Sequence, residues 1–252
     1  MGPFKNREEA ARLLAGRLTR YTGHRPLVLA IPRGAVPMGR IIADAIDGEL
    51  DVVLVHKLGA PGNPEFAVGS VSETGSVYLG NAVRVMGIGK DYLDGEVREE
   101  LKLLRRRRER YTPVRPPIDP SGRIVIVVDN GIATGATMIA ALRAVRAKRP
   151  ARLIAVVAVA PPETLSRIAR EADETVCLEA PEEFYAVGQF FLEFPQVTDD
   201  EVIELLRRLP RPHRTPRLRK GPAPADAGRP RGDAGAIVSP VALPPAEDEG
   251  RR

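Results

Sequence analysis

One cysteine, three histidines, six Phe, five Tyr and no Trp are all that 252 residues supply of those types. The lone Cys177 excludes a disulfide within the chain and fits a reduced, cytosolic compartment. Set in the apolar run ETVCLEA, it reads as a small buried hydrophobe. His24, His56 and His213 are not at metal-ligand spacing, and His56 closes an apolar run as a strand-end residue does. No stretch approaches the ~18 to 20 apolar residues of a membrane span, and MGPFKNREEAARLL lacks the basic-then-apolar layout of a signal peptide. The expectation is a cytoplasmic protein without a membrane partner.

Net positive charge is nearly absent over most of the chain. Of the net +5, residues 210–252 hold nine Lys or Arg against five Asp or Glu, leaving a surplus of one for residues 1–209. The same stretch contains nine prolines and little apolar periodicity. It is expected to be a disordered Pro/Arg-rich tail following one domain over 1–209. Its basic part, RRLPRPHRTPRLRK, has no interleaved aromatics, so nucleic acid is a partner only through this tail, and solubilisation is the plainer use.

What is plentiful is the apolar run. PLVLAI, DVVLV, RIVIVV, RLIAVVAVA and ETVCL read as buried strands, separated by helical patterns. Asn6 caps a helix with Glu8 and Glu9 in its first turn and Leu13, Leu14, Leu18 and Tyr21 on one side; GRIIADAI is a second. Leu93, Val97, Leu101 and Leu104 mark a third, which ends in RRRRER. Thr137 to Ala147, PETLSRIAREA and TDDEVIELLRRL complete the set, the last with the capping-box pair Thr198 and Glu201. This alternation predicts an α/β fold, an open parallel sheet flanked by helices on both faces. GAPGNPEFAVGSVSETGSVYLG is punctuated by Gly and Pro and reads as a mobile loop with short antiparallel strands. Ligands of such sheets bind beyond the carboxyl ends of the strands, which directs attention to the loops after Ile31, Val55 and Val128.

IVIVVDNGIATGATM, Ile124 to Met138, is the most informative of these. Gly131 and Gly135 permit positive φ and close backbone approach, and the amides from Ala133 to Thr137 lie at a helix N-terminus, where anions are favoured. Thr134 and Thr137 add hydroxyls. No lysine follows the second glycine, so this is not a Walker loop. Asp129 at the strand end adds a carboxylate able to accept hydrogen bonds from a diol. A phosphate and a diol side by side describe a ribose 5-phosphate.

Residues Val125 to Thr137 resemble the signature of the type I phosphoribosyltransferase family: a hydrophobic strand, two acidic residues and a G-x-x-T-G-x-T turn. The match holds except at Asn130, which replaces the second acid. VLAIPRGAVPMG is similar to the family's pyrophosphate loop, where a backbone amide and a basic residue meet the leaving group and the peptide is often cis; by position these are Gly34 and Arg33. HKLGAPGNPEFAVGSV and EEFYAVGQFF resemble segments of a bacterial subgroup of that family.

The resemblance implies a phosphoribosyltransferase-like sheet with a small hood, and transfer of a phosphoribosyl group from phosphoribosyl pyrophosphate to a nitrogen acceptor, a nucleobase, with release of pyrophosphate. It implies Asp129, Arg33 and Lys57 in catalysis. It implies substrate binding by Arg33, Gly34, Lys57, Asp129, Asn130, Gly131, Ile132, Ala133, Thr134, Gly135, Ala136, Thr137 and Tyr185. Mg²⁺ is expected on the substrate's own oxygens, with Asp129 as the one protein group in reach. Where some purine-specific relatives carry a base-binding Asp, this chain has Ala133. The acceptor is then sought at Phe184, Tyr185, Phe190, Phe191 and Phe194, which form either a stacking hood or a secondary core and subunit interface. Arg105 to Arg108 are expected to face solvent and the negative end of their helix, and Glu65 to be an exposed loop carboxylate. A homodimer is compatible. The competing reading is a regulator that senses phosphoribosyl pyrophosphate or binds nucleic acid, with weak or no turnover.

Overall fold

The computed structural model describes residues 3–208, so the tail expected over 210–252 lies outside the described residues. Five parallel strands, β1 (Leu27–Ala30), β2 (Glu49–Val52), β6 (Ile124–Gly131), β7 (Arg152–Val159) and β8 (Glu174–Glu179), form one sheet. Their order across it is β2-β1-β6-β7-β8. Because successive side chains alternate between faces, each apolar run feeds two cores. Val28, Ala30, Ile126, Val128, Ile154 and Val156 pack on α1 (Arg7–Arg17) and α2 (Val36–Ala45). Leu27, Leu29, Val125, Val127, Leu153 and Ala155 pack instead on α5 (Ala136–Arg146) and on Ile168 of α6 (Pro162–Ile168). The sheet is covered on both faces, as its apolar strands require.

α1 begins where the sequence places it, with Asn6 Oδ1 accepting from Glu9 N at 3.1 Å. Leu14, Leu18 and Tyr21 are buried, but Leu13 is 44% exposed and lies off the buried stripe. α7 (Asp199–Arg207) has the expected capping box: Glu201 N donates to Thr198 Oγ1 at 3.2 Å and Thr198 N to Glu201 Oε2 at 2.6 Å.

Three expectations change. DVVLV is not one strand: β2 ends at Val52, where pairing to β1 ends at Ala30, and β3 (Val55–Ala60) enters another sheet. The Gly/Pro-punctuated segment contributes β4 (Asn63–Ser72), ten residues long, and β5 (Val77–Leu79) to this antiparallel sheet of order β3-β4-β5. Glu65 therefore lies within β4 rather than in a loop. After the short α3 (Asn81–Val85), α4 (Lys90–Tyr111) runs on through the arginine cluster. Arg108 does not face solvent: its Nε and Nη2 hold both oxygens of Glu73 at 2.7 and 2.6 Å, and Nη2 also donates to Val52 O at 3.3 Å. That bidentate pair ties α4 to the end of the antiparallel sheet.

Candidate active site

The carboxyl ends of β1 and β6 bring two of the singled-out loops together. β6 continues beyond its apolar run through Asp129, Asn130 and Gly131, with Ile132 N still donating to Val159 O at 3.0 Å. Strand alternation sends the two polar side chains to opposite faces. Asp129 shares parity with Val125 and Val127 and faces the α5 side; Asn130 shares parity with Ile126 and Val128 and faces α1 and α2. Asn130 is only 7% exposed, and its Nδ2 stands 2.5 Å from where a Cβ on Gly34 would be. Gly34 is thus required as glycine by Asn130, and the loop after β1 rests on the end of β6. The Pro32–Arg33 peptide in that loop is cis, and the Arg33 side chain is exposed.

The turn from Ile132 to Gly135 has its own supports. Gly135 adopts φ +75° at the N-cap of α5, and no side chain caps this helix, whereas Asn6 and Thr198 cap α1 and α7. The first amides of α5, uncapped by a side chain like those of α2, α4 and α6, are open to an anion, with the helix dipole behind them. Thr164 Oγ1 donates to Ala133 O at 2.7 Å, Arg167 Nη1 to Thr134 O at 3.1 Å, and the buried Ser70 Oγ to Ala136 O at 3.0 Å. Thr134 and Ala133 are exposed and Thr137 is half-buried, as a cradle open to solvent demands. Beside it a recess of about 450 Å³ is lined by Tyr78, Thr134, Ala136 and Arg167. A larger recess of about 730 Å³, bordered by Asp51 and Arg108, belongs to a different part of the molecule.

Thr164→Val should leave the Ala133 carbonyl without its donor, costing about 1 kcal/mol and loosening the turn. Urea denaturation checks the first, and the KM for a phosphorylated substrate, rising with kcat little changed, the second.

Lys57 is on β3 directly opposite Ser70 of β4. Cross-strand partners point to the same face, so Lys57 projects to the side on which Ser70 meets Ala136. His56 faces the other way, with Nδ1 2.5 Å from Glu100 Oε2 of α4, and burial holds its pKa below the ordinary value.

Asp129 Oδ1 accepts from Asn130 N at 2.7 Å. Burial nevertheless raises the carboxyl to about 7, against the lowering effect of that one amide. Among the described residues no cationic side chain pairs with it, and no three His, Cys, Asp or Glu side chains gather into a metal cluster. A lone, poorly compensated carboxylate beside an open cradle fits a hard cation that takes one protein oxygen and otherwise water and substrate.

The aromatic segment divides in two. Phe191 is buried, stacked on Phe194 at 4.7 Å and tilted against Phe4 at 5.5 Å, so this half joins the core on the α1 and α2 side of the sheet. Phe184 pairs with Phe190 at 5.1 Å, and Tyr185 is 87% exposed. The short 3-10 helix Val187–Phe190 meets the site: Val187 Cγ1 stands 2.9 Å from where a Cβ on Gly131 would be. Ser70, Thr164, Arg167 and Arg7 carry no sequence signal that marks them; each reaches the site from a distant element. Cys177 is half-buried in β8, its thiol pushed up to about 11 by burial.

Residues 5–194 match the family model for the phosphoribosyl transferase domain. Two proteins of Mycobacterium tuberculosis, from strains CDC 1551 and H37Rv and provisionally named phosphoribosyl transferases, are 41% identical over 206 residues, covering 81% of this chain and 46% of theirs. The chain thus spans about half the length of the curated relatives it matches. The crystal structure of TT1426 from Thermus thermophilus is similar at 44% identity and a TM-score of 0.70, over 81% of this chain and 98% of that one. No helix among the described residues is long and apolar enough to cross a membrane.

Proposed function

Since the chain belongs to the phosphoribosyl transferase domain family, we propose that it is a phosphoribosyltransferase that takes phosphoribosyl pyrophosphate and passes its phosphoribosyl group to a nucleobase. The observation that carries this reading is the uncapped N-terminus of α5, opened by Gly135, beside the half-buried and poorly compensated Asp129. The cradle suits a terminal phosphate dianion and the carboxylate a sugar diol, and a ribose 5-phosphate offers both.

In the reaction the acceptor nitrogen bonds to C1 of the ribose as the C1 to pyrophosphate oxygen bond breaks, and the acceptor's proton leaves to water. The ring becomes cationic and the leaving group gains negative charge. Asp129 holds the ribose hydroxyls and places a negative charge by the ring; the turn from Gly131 to Thr137, with Ile132, Ala133, Thr134 and Ala136 between, holds the 5-phosphate. Arg33, Lys57 and the Gly34 amide meet the pyrophosphate. Mg²⁺, bound to the substrate with Asp129 in reach, would neutralise part of its charge. Ala133 supplies no carboxylate for the base, so the acceptor is held by stacking under the hood, at Tyr185. Action in the cytoplasm and in nucleotide metabolism follows from the same reading, and a homodimer is compatible with it.

Incubating the full chain with phosphoribosyl pyrophosphate, Mg²⁺ and a panel of nucleobases should release pyrophosphate with at least one base. Tight donor binding with silence across the panel would favour the regulator instead, the reading that Asn130 in place of an acid supports.

A further inference from the structure

Arg7 is a buried cation that the reaction outlined above leaves unused. It opens α1 and is only 9% exposed. Its Nη1 donates to Pro195 O at 2.8 Å, and its guanidinium lies 3.7 Å from the Phe194 ring centroid, so the segment after the hood fixes it from one side. Its Nε has no partner. Among the described residues no carboxylate lies within ion-pair distance, and the acid whose field reaches it, Glu201, is engaged by the Thr198 amide and hydroxyl. Burial holds the guanidinium pKa below its ordinary value, the direction expected of a cation lacking a counter-charge.

The other side of Arg7 faces the loop after β1. Its Nη2 stands 3.7 Å from the position of a Gly34 Cβ, the same point that Asn130 Nδ2 approaches to 2.5 Å. Asn130 Oδ1 is also buried without a partner. A charged donor and an amide therefore back one glycine, each with an unpaired polar atom.

We propose that Arg7 is an anion-binding residue that supplies positive charge to the oxyanion held at Gly34, and that residue 130 is an amide because a carboxylate there would pair with Arg7 and quench it. The inference rests on the reading of the loop after β1 as the place of the pyrophosphate group. Among the cations near that loop Arg33 is exposed and screened by solvent, whereas Arg7 is desolvated and held rigid, so its charge acts over the few ångströms to the loop with little screening. An acid at position 130 would meet a buried, unpaired guanidinium and take its charge for itself.

The test uses the full chain, inorganic pyrophosphate and phosphoribosyl pyrophosphate in calorimetric titrations at low and high salt, with thermal denaturation of each variant. Arg7→Gln keeps a donor for the Pro195 carbonyl and drops the charge; it should weaken pyrophosphate binding about tenfold or more. Arg7→Lys should retain most of the affinity. Asn130→Asp should also weaken it, and should add little in the Arg7→Gln background. If the unaltered chain binds both ligands and Arg7→Gln binds them equally well, the inference alone falls. It falls too if Asn130→Asp binds more tightly than the unaltered chain, a result that stands even if Arg7→Gln does not fold. If the unaltered chain binds neither ligand, the functional reading and the inference fall together.

Discussion

Asp129→Asn should lower phosphoribosyl transfer by about two to three orders of magnitude and at the same time make the ligand-free protein more stable at pH 8. The first effect follows from removing the strand-end carboxylate beside the cradle, which in the proposed reaction faces a developing ring cation. The second follows from the sign of the Asp129 shift. Burial raises this carboxyl from 3.8 to about 7, so the fold favours the neutral form. A raised carboxyl contributes stability that is complete below the unfolded value and is lost as pH rises through about 7. At pH 8 the wild type holds a desolvated carboxylate at a cost the amide does not share. Thermal denaturation should therefore show a gap in favour of Asp129→Asn that is widest at pH 8 and narrows towards pH 4.5. An equal gap at both pH values, or transfer that survives the substitution, would sink this assignment. Substrate binding needs the ionised form, so donor affinity of the wild type should rise with pH up to about 7 and level off beyond.

The cradle was legible in the sequence because its parts are local: an apolar strand, an acid, two glycines and two threonines within one strand-to-helix turn. Gly135 and the start of α5 fall where the sequence puts them, as do the two caps at Asn6 and Thr198. The parity of Asn130 was legible too, since Val125 and Val127 alternate with Ile126 and Val128, although the quoted signature draws the eye to Asp129 and Asn130 as a pair. What the sequence hides is anything decided by distant partners. Val52 to Val55 is uniformly apolar, so nothing in the run marks Val52 as a strand end, and pairing that stops at Ala30 of β1 decides where the chain leaves the parallel sheet. Arg108 reads as a solvated charge on its helix and Arg7 carries no mark at all; their burial comes from Glu73 and Val52 in one case and Pro195 and Phe194 in the other. Periodicity reports which face of an element is apolar but not which polar residue another segment will cover.

Gly131→Ala should cost about 1–3 kcal/mol of stability and abolish donor binding, although glycine here adopts no left-handed conformation. The reason is space. A Cβ on Gly131 would stand 2.7 Å from Val159 Cγ1, 2.9 Å from Val187 Cγ1 and 3.0 Å from Val159 O. A valine side chain can turn aside, but the carbonyl belongs to β7 and accepts from Ile132 N, so it cannot retreat without opening the end of the β6 and β7 ladder. The alternative is to lift Val187 and with it the 3-10 helix of the hood. Either movement displaces Asp129, two residues away, or the turn that follows Ile132. Gly16→Ala is the matched control: it lies within α1 with nothing within 4 Å of its would-be Cβ, and alanine there should gain about 0.4–1 kcal/mol by restricting the unfolded chain. Urea denaturation of the two variants should thus move in opposite directions, and only Gly131→Ala should lose calorimetric binding of phosphoribosyl pyrophosphate. If Gly131→Ala is as stable as the wild type and binds the donor as tightly, the hood does not close on the end of β6 as tightly as these contacts require, and the case for an acceptor held under the hood goes with it.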